Sequence, residues 1–492
     1  MESPTVLIIE KSRWFRACLV MLAAGLAALL WSAVCTAPGI QWNPARLAPS
    51  FALARGLPIY ALRDSGSQLG WFYGPVFPLW YLPVAFTDQP TIAHMLAGAW
   101  NCATWLLPLA LVLQESGVVR GRRLLTILIP GAVILFGDHV THGAFYFIHV
   151  DAVCLAAGLT ACVALHRAMH TPSPAALHLA AVAIALSFWS KQLSLILYPA
   201  LFLWFWWKGD RRLAGRFLMW LVIYGAVITG VFFAVFGAPE LLFNTWMIQS
   251  HNPWQGGIPL LGLQLKLLGL ATWVALPLMG CLFWLKRRAG QDALPARAAS
   301  LVQLLLWVAL WELPLGLIAT LKAGGGLNSV HSLHYAFAAG LIYLAHVLSR
   351  PLTLSPRMGR MLVPVLSVSL LLPLGNAFRL TGDNTAVWRP YRGQEQLLAL
   401  ARAQPGRYYF PWNPLITIIS DRRIRPLDDA LYCLWHVGLE VPADQVRAAL
   451  PRDPIILYQE PAQSHFALRY FPPHPPAQGS SPTVLPAAVG PR

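Results

Sequence analysis

Long apolar stretches alternate with short polar connectors over the first three quarters of the chain. About 20 consecutive apolar residues cross a bilayer as an α-helix, and the stretches lack the strict alternation of half-buried strands. The pattern therefore predicts an all-α polytopic membrane domain over residues 1–376, with about eleven transmembrane helices. We place them near 17–35, 93–114, 124–137, 148–166, 176–189, 193–207, 216–236, 267–285, 299–320, 334–349 and 361–376.

One apolar run must contain a turn. As one straight helix, residues 176–207 would be about 48 Å long at 1.5 Å per residue, whereas the apolar core of a bilayer is about 30 Å thick. Basic residues stand at both ends of the run, so the run crosses twice. Its polar interruption is Ser190-Lys191-Gln192. The turn is predicted there, which puts Lys191 near the outer surface.

Another apolar segment is too broken to be an ordinary span. Residues 71–86 contain three prolines and follow an outer loop, 36–70, with amphipathic stretches. Proline removes a backbone donor and interrupts helices. A full span here would also reverse the sidedness of every later connector. We therefore predict interfacial helices in the loop 36–70 and an interfacial or re-entrant segment over 71–86.

Arginine and lysine fall on alternate connectors. Eighteen lie on one set of connectors and six on the other set or at membrane ends. Short loops rich in these residues stay in the cytoplasm. We therefore predict a cytoplasmic N-terminus and an extracytoplasmic C-terminus. The basic set is Lys11–Arg16, Arg120–Arg123, Arg167, Lys208–Arg216, Lys286–Arg297 and Arg350–Arg360; the other six are Arg46, Arg55, Arg63, Lys191, Lys266 and Lys322.

Composition agrees with an integral membrane protein, since 57% of residues are hydrophobic and 11% are charged. The net charge of +16 is explained by membrane orientation, and no module that binds nucleic acid is visible. Six of the seven cysteines lie in or beside apolar runs. That distribution supports neither a disulfide framework nor a zinc ribbon. Nucleic-acid binding and disulfide-scaffold functions are thereby disfavoured.

The composition changes after Asn376. Residues 377–470 are polar enough for a small soluble domain, with strand-like runs near 407–410, 415–419 and 455–458 and helical stretches near 393–403 and 443–450. A small extracytoplasmic α/β unit is predicted. The remaining tail, 471–492, is rich in proline, serine, glycine and alanine and is predicted to be disordered.

Polar residues concentrate on the predicted outer face. Asp151 opens an apolar helix, where the helix dipole alone would favour a carboxylate, but ionisable groups at membrane depth are also functional candidates. Lys191 has the alternative role of a side chain that snorkels to the interface. Arg46 and Arg55 either contact a lipid phosphate or belong to an ordinary interfacial helix. The glycines after Lys322 permit either a turn or close approach of a ligand.

The connector before the fourth span has a spacing that is superficially typical of metal ligands. It contains Asp138, His139 and His142. A zinc site needs further ligands and a supporting shell, and the sequence does not indicate them. We therefore predict no metal site and no cofactor.

Several short motifs follow one another in a recognisable order. They are Gly56-x-Pro-x-Tyr60, Tyr73-Gly-Pro, His149-Val-Asp151, Ser190-Lys-Gln192 and Lys322-x-Gly-x-x-x-Asn328. This ordered set resembles the GT-C membrane glycosyltransferases, specifically the bacterial group of protein-mannosyltransferase and aminoarabinose-transferase-like proteins. The resemblance implies transfer of a sugar from a polyprenyl-phosphate donor to a glycan, lipid or protein acceptor. It further implies the outer face of the bacterial inner membrane as the location.

Position by position, the resemblance matches Asp151 to the acid that begins the family's fourth span and Lys191 to its hairpin lysine. The family also has an acid just after the first helix, where this chain has Asn43. Either Asp151 or Asp64 is then the catalytic base, or the chain is a non-catalytic relative. The substrate-binding candidates, including those for the donor phosphate, are Lys191, Gln192, Arg55, Arg46, Tyr73, His149, Lys322, Asn328 and His331.

The competing class is a GT-C-like scaffold or a component of lipid or polysaccharide transport. A transport pathway requires polar residues through the membrane interior. Here the ionisable groups gather at one end of apolar spans. That distribution favours a reaction site at the outer face.

Overall fold

The computed structural model describes most of the chain. The described residues are 5–8, 12–40, 42–119, 121, 123–171, 173–208, 210–254, 261–262, 265, 294–349, 351–354, 356–387, 393–451, 454–458, 466–470 and 485–486. The predicted span 267–285 lies outside them, as does the tail 471–492 except for residues 485–486.

Helices dominate the described residues. In chain order they are α1 Arg13–Thr36, α2 Trp42–Ala54, α3 Val76–Trp80, α4 Pro90–Ser116, α5 Arg123–Gly137, α6 His139–Tyr146, α7 Val150–His170, α8 Pro174–Ser190, α9 Leu197–Lys208, α10 Arg211–Phe236, α11 Ala238–Leu242, α12 Ile248–His251, α13 Ala296–Thr320, α14 Ser332–Ser349, α15 Pro356–Val387, α16 Gln394–Ala403, α17 Pro414–Asp421, α18 Asp428–His436 and α19 Ala443–Ala449. The strands are β1 Thr5–Ile8, β2 Pro351–Leu354, β3 Tyr408–Tyr409, β4 Ile455–Tyr458 and β5 Leu485–Pro486.

Seven of the described helices are long and apolar enough to cross a membrane. They are α1, α4, α7, α10, α13, α14 and residues Val363–Asp383 of α15. The apolar helices α5 and α8 are shorter, and α9 follows α8 across the predicted turn. The predicted fold class, an all-α polytopic membrane protein, is confirmed.

Two pairs of connectors with basic residues are in contact. Glu115 at the end of α4 accepts hydrogen bonds from Arg167 at 3.0 Å and from Arg297 at 2.5 Å, and contacts His166 at 3.0 Å. In addition, β1 pairs antiparallel with β2, which joins the N-terminal segment to the connector before α15. The segment before α1 therefore contacts the connector before α15.

The long apolar run breaks at the predicted turn. Helix α8 ends at Ser190, Lys191 is extended with φ −146° and ψ 125°, and a 3-10 turn, Gln192–Ile196, leads into α9. Gly74 packs against this turn so closely that a Cβ atom there would lie 1.7 Å from the carbonyl oxygen of Trp189. Only glycine at this position therefore lets the proline-broken segment approach Lys191.

The loop 36–70 is helical over Ala37–Gly39 and Trp42–Ala54. Helix α2 begins at Trp42, and residues 71–86 contain the short helix α3 and a 3-10 turn, Leu82–Phe86. The hydroxyl of Tyr81 donates a hydrogen bond to Asn101 of α4 at 3.0 Å. The proline-broken segment thus packs against α4.

The C-terminal part differs from the prediction in two places. Helix α15 continues to Val387, beyond the predicted end at residue 376. Residues 415–419, predicted as a strand, instead form most of α17, which has Pro414 in its first turn. Proline is well tolerated at the first helical position, and an apolar run of this length does not by itself distinguish strand from helix. Strands β3, β4 and β5 form a small parallel sheet beside these helices.

Candidate functional site

A buried carboxylate, Asp151, lies at the centre of a cluster of polar side chains. Asp151 is 1% exposed. Its Oδ1 accepts hydrogen bonds from Lys191 Nζ at 2.7 Å and His331 Nε2 at 2.8 Å, and its Oδ2 accepts from Asn328 Nδ2 at 2.7 Å and His149 Nδ1 at 2.5 Å. An ionised carboxylate has about four acceptor sites. All of them are occupied, so Asp151 fixes its neighbours and has no free lone pair for a substrate proton.

The residues of this cluster come from three separate parts of the chain. Asp151 stands in the first turn of α7, where the N-terminal end of the helix dipole favours a negative charge. Lys191 comes from the break after α8, and α8 packs along α7. Asn328 and His331 come from the loop between α13 and α14. In that loop a Cβ at Gly325 would lie 2.0 Å from the carbonyl oxygen of Ala319, so glycine is needed for its path.

Both histidines of the cluster are neutral at pH 7. Burial lowers the pKa of His149 to about 4, against the opposing effect of Asp151, and burial also lowers the pKa of His331. The short contact between His149 and Asp151 therefore joins a neutral imidazole to a carboxylate, and the backbone N–H of Asp151 lies 3.3 Å from the same Nδ1. The amide of Asn328 lies 3.4 Å from Nε2 of His149, which fits a tautomer that carries its proton on Nδ1.

Lys191 is a buried cation. Burial lowers the pKa of its ammonium group, but the carboxylate of Asp151 and the phenol of Tyr73 more than offset this effect and raise it overall. The side chain is 10% exposed. One of its three N–H groups donates a hydrogen bond to Asp151. The described residues accept no other hydrogen bond from this ammonium group. Lys191 is therefore a fixed positive charge, and two of its N–H groups have no acceptor among the described residues.

Arg46 supplies a second cation beside this pair. Its Nη1 donates to the carbonyl oxygen of Ile148 at 3.0 Å. Burial lowers its pKa, while Tyr73, Asp151 and Asp429 raise it through their charges; an arginine remains charged under such conditions. Burial raises the pKa of Tyr73, and Lys191 and Arg46 oppose the rise. The charges of Lys191, Arg46 and Asp151 therefore influence one another and the phenol of Tyr73.

Asn43 has a structural role. It is fully buried, its Nδ2 donates to the carbonyl oxygen of Ala37 at 2.9 Å, and its Oδ1 accepts from the backbone N–H of Ile148 at 3.1 Å. Helix α2 is thereby tied to the segment that leads into α7. This tie places Arg46, one turn further along α2, next to the Asp151 cluster.

The structure places the other sequence candidates away from this cluster. Arg55 forms an ion pair with Asp88. Asp64 is exposed in the loop that precedes Gly66. Lys322 belongs to the same loop as Asn328, but its ammonium group lies 5.3 Å from the centroid of the Trp254 ring. These three residues have local partners or solvent around them and do not join the contacts of Asp151.

Two more sequence candidates have other surroundings. Gln192 follows Lys191 in the 3-10 turn, and its buried Nε2 has no partner among the described residues. His142 contacts the carbonyl oxygen of Phe136 at 2.8 Å through Nδ1. In the part of the chain that the structure describes, no group of three or more His, Cys, Asp or Glu side chains is arranged to hold a metal ion.

Asp429 is a neighbour of the cluster that sequence reasoning missed. It lies in the first turn of α18, in the C-terminal part of the chain, and contributes to the electrostatic environment of Arg46. The sequence contains one hint of this position, two adjacent acidic residues, Asp428 and Asp429, between apolar residues. Nothing in the spacing indicated that this helix packs on the outer loop.

The fold is similar to that of a solved membrane protein. It matches the crystal structure of ArnT from Cupriavidus metallidurans bound to undecaprenyl phosphate over 86% of this chain and 89% of that one, with a TM-score of 0.56 and 13% sequence identity. Against the apo state of the same protein the TM-score is 0.49, with 14% identity over 86% of this chain and 88% of that one.

A second likeness is to the oligosaccharyltransferase AglB from Archaeoglobus fulgidus, solved with an inhibitory peptide and a dolichol-phosphate. It covers 84% of this chain and 64% of that one at a TM-score of 0.47 and 12% identity. No family model and no curated relative matches the sequence. At 13% identity, the likeness to ArnT bears on the fold alone.

Proposed function

We propose that the chain is a membrane glycosyltransferase that moves a sugar from a polyprenyl-phosphate donor to an acceptor on the outer face of the membrane. The observation that carries this proposal is the buried ammonium group of Lys191, held by a saturated Asp151 and supplemented by Arg46. The solved ArnT structure of similar fold has undecaprenyl phosphate bound. A fixed pair of cations suits the phosphate of such a lipid.

The reaction is a displacement at the anomeric carbon of the sugar. The acceptor oxygen attacks, and the bond between that carbon and the phosphate oxygen breaks. Negative charge then develops on the departing lipid phosphate. Cations fixed in advance stabilise such charge without reorganisation, and this is the role we assign to Lys191 and Arg46. Asp151 holds Lys191 in place, and Asn328 and His331 hold Asp151.

The donor assignment is tested in cells. Deletion of the gene is expected to make a polyprenyl-phosphate sugar accumulate and to remove one sugar from a surface glycan, lipid or protein. Lipid extracts and surface glycans of the deletion strain and its parent are compared by mass spectrometry. Complementation with the wild-type gene restores both, whereas complementation with Lys191→Gln does not. Unchanged lipid-linked sugars and glycans in the deletion strain contradict the proposal and favour a scaffold role.

The proposed location is the bacterial inner membrane, with a cytoplasmic N-terminus and the residues after α15 outside. In a variant with all cysteines replaced, a cysteine at exposed position 444 is expected to react with an impermeant maleimide in intact cells. A cysteine at exposed position 212 is expected to react only after the cells are broken. The reason is the distribution of arginine and lysine described above. The reverse result would place the cluster around Asp151 on the cytoplasmic side.

A further inference from the structure

One nitrogen atom beside Asp151 has no hydrogen-bond partner among the described residues. It is Nδ1 of His331, a side chain that is almost completely buried and whose other nitrogen, Nε2, lies 2.8 Å from Oδ1 of Asp151. Nδ1 is itself buried, and no described residue donates to it. Buried polar atoms in folded proteins nearly always have a partner. Nδ1 of His331 is therefore suited to accept a hydrogen bond from a bound ligand.

The contact of Nε2 determines the state of the His331 ring. An ionised carboxylate can only accept hydrogen bonds, so Nε2 carries the proton and Nδ1 keeps a lone pair. Burial lowers the pKa of His331; the hydrogen bond and the charge of Asp151 oppose this effect, and the charge of Lys191 adds to it. The imidazole is thus neutral at pH 7, with Nδ1 as an acceptor.

Asp151 and His331 together form a carboxylate–imidazole dyad. A carboxylate that is hydrogen-bonded to one nitrogen of an imidazole orients the ring and stabilises the cation that forms when the other nitrogen takes up a proton. Asp151 itself is less suited to take a substrate proton, because Lys191 donates to its Oδ1 and Asn328 donates to its Oδ2, each at 2.7 Å. The proton acceptor of this pair is therefore the imidazole.

Packing fixes the loop that carries His331. A Cβ at Gly316 of α13 would lie 2.9 Å from the carbonyl oxygen of Ser329, so the helix and the loop are in close contact. The backbone N–H of His331 donates to that carbonyl oxygen at 2.9 Å, and the backbone N–H of His334 donates to the carbonyl oxygen of His331 at 2.9 Å. The ring of His334 packs edge-on against Trp105, with 4.6 Å between the centroids. The backbone at His331 is therefore held on both sides.

The ring of His331 is a neighbour of the ammonium group to which we assign the donor phosphate. Lys191 Nζ and His331 Nε2 contact the same oxygen atom of Asp151. A phosphate bound by Lys191 and a hydroxyl bound by His331 would therefore be close together. A displacement at the anomeric carbon requires this proximity of its two reactants.

We propose that His331 is the general base of the transfer, an inference that rests on the proposed function. Its Nδ1 accepts the proton of the acceptor hydroxyl while the hydroxyl oxygen forms a bond to the anomeric carbon. The bond from that carbon to the phosphate oxygen breaks, and its electron pair leaves with the polyprenyl phosphate beside Lys191. Asp151 stabilises the imidazolium, which then releases the proton to water. The acceptor is accordingly a hydroxyl-bearing molecule.

His331→Gln separates the role of a base from a purely structural role. The amide nitrogen of glutamine can still donate to Asp151, but the side chain has no group basic enough to take up the proton. In full-length protein in lipid nanodiscs, kcat is expected to fall by about 10²- to 10⁴-fold. The affinity for undecaprenyl phosphate is expected to stay within about twofold of the wild type. A residue that only holds Asp151 in place would keep most of its rate in this variant.

A pH profile gives a second and independent readout. For the wild type, kcat/KM is expected to rise with pH through an inflection below the ordinary imidazole value of 6.5, because the base must be neutral to act. The other titratable groups around the ring are Asp151, Lys191 and His149, of which His149 has a pKa of about 4. The inflection of His331 is expected to be absent from His331→Gln.

His251→Gln, at an exposed position at the end of α12, is the matched control and is expected to keep the wild-type kcat. A folded His331→Gln protein with the wild-type kcat would overturn the assignment, as would an inflection that persists unchanged in this variant. If the variant does not fold, a wild-type profile without an acid limb at any pH at which the protein is folded has the same consequence. If the wild type transfers no sugar from any lipid-linked donor, the proposed function itself fails.

Discussion

Replacement of Lys191 by glutamine is expected to abolish most of the transfer activity. Glutamine still donates a hydrogen bond to Asp151, but the positive charge is lost. Removal of one group that stabilises developing charge typically costs about 10²- to 10³-fold in kcat. We therefore expect kcat to fall by about that factor. The measurement is the initial rate of polyprenyl phosphate release by protein in lipid nanodiscs at saturating donor.

Arg402→Ala is the matched control for the Lys191 variant, since it removes an exposed positive charge on α16 in the same predicted compartment. It is expected to retain the wild-type rate. Equal rates for Lys191→Gln and the wild type would remove Lys191 from the mechanism. Equal losses in both variants would point to a general effect of net charge on the binding of an anionic lipid.

Replacement of Asp151 by asparagine is expected to destabilise the protein as well as inactivate it. The ammonium group of Lys191 would remain buried, with a neutral amide in place of its counter-charge. Loss of one partner of a buried ion pair typically costs about 3–5 kcal/mol. A clear fall in the thermal transition of the purified protein is expected, together with loss of transfer.

A double substitution separates the two effects of Asp151→Asn. In Asp151→Asn/Lys191→Gln no buried charge is left unpaired, so much of the lost stability is expected to return while transfer remains absent. The four proteins form a double-mutant cycle that measures the coupling of the pair. If the double variant loses as much free energy of unfolding as the two single variants together, Asp151 and Lys191 do not act as a pair. The geometry described here is then wrong.

The centre of the site was largely predictable because membrane topology constrains it. Asp151 opens one predicted helix and Lys191 stands in the predicted turn of the next hairpin, so both were expected at the same membrane face. Asn328 and His331 follow from the same argument, since their loop precedes a helix that returns from that face. The saturation of Asp151 by four donors was not predictable, because it depends on side-chain directions that the order of spans does not determine.

Two sequence candidates, Arg55 and Lys322, have partners outside the Asp151 contacts. For Arg55 the sequence left open a contact with a lipid phosphate or an ordinary interfacial helix, and the structure pairs it with Asp88 of the following segment. The ammonium group of Lys322 lies over Trp254, a residue in a connector with no recognised motif. Such partners are distant in sequence, and hydrophobic periodicity carries no information about them.

The C-terminal part was the least predictable. Residues 415–419 have high intrinsic strand propensity, yet they form α17, because Pro414 opens a helix and tertiary packing overrides propensity. The packing of α18 on α2 depends on small residues such as Ala45 and Ala430. Small apolar residues have no distinctive pattern in a sequence that is rich in them. The packing of α18 on α2 therefore emerged only from the fold.

Transfer by the purified protein tests the central claim most directly. Wild-type protein and Lys191→Gln, each in lipid nanodiscs, are incubated with lipid-linked sugars extracted from the cells that make the protein, and released polyprenyl phosphate is quantified. We expect release by the wild type and about 100-fold less by Lys191→Gln. No release from any lipid-linked sugar, equal release by both proteins, or transfer from a soluble nucleotide sugar without a lipid carrier would contradict the account.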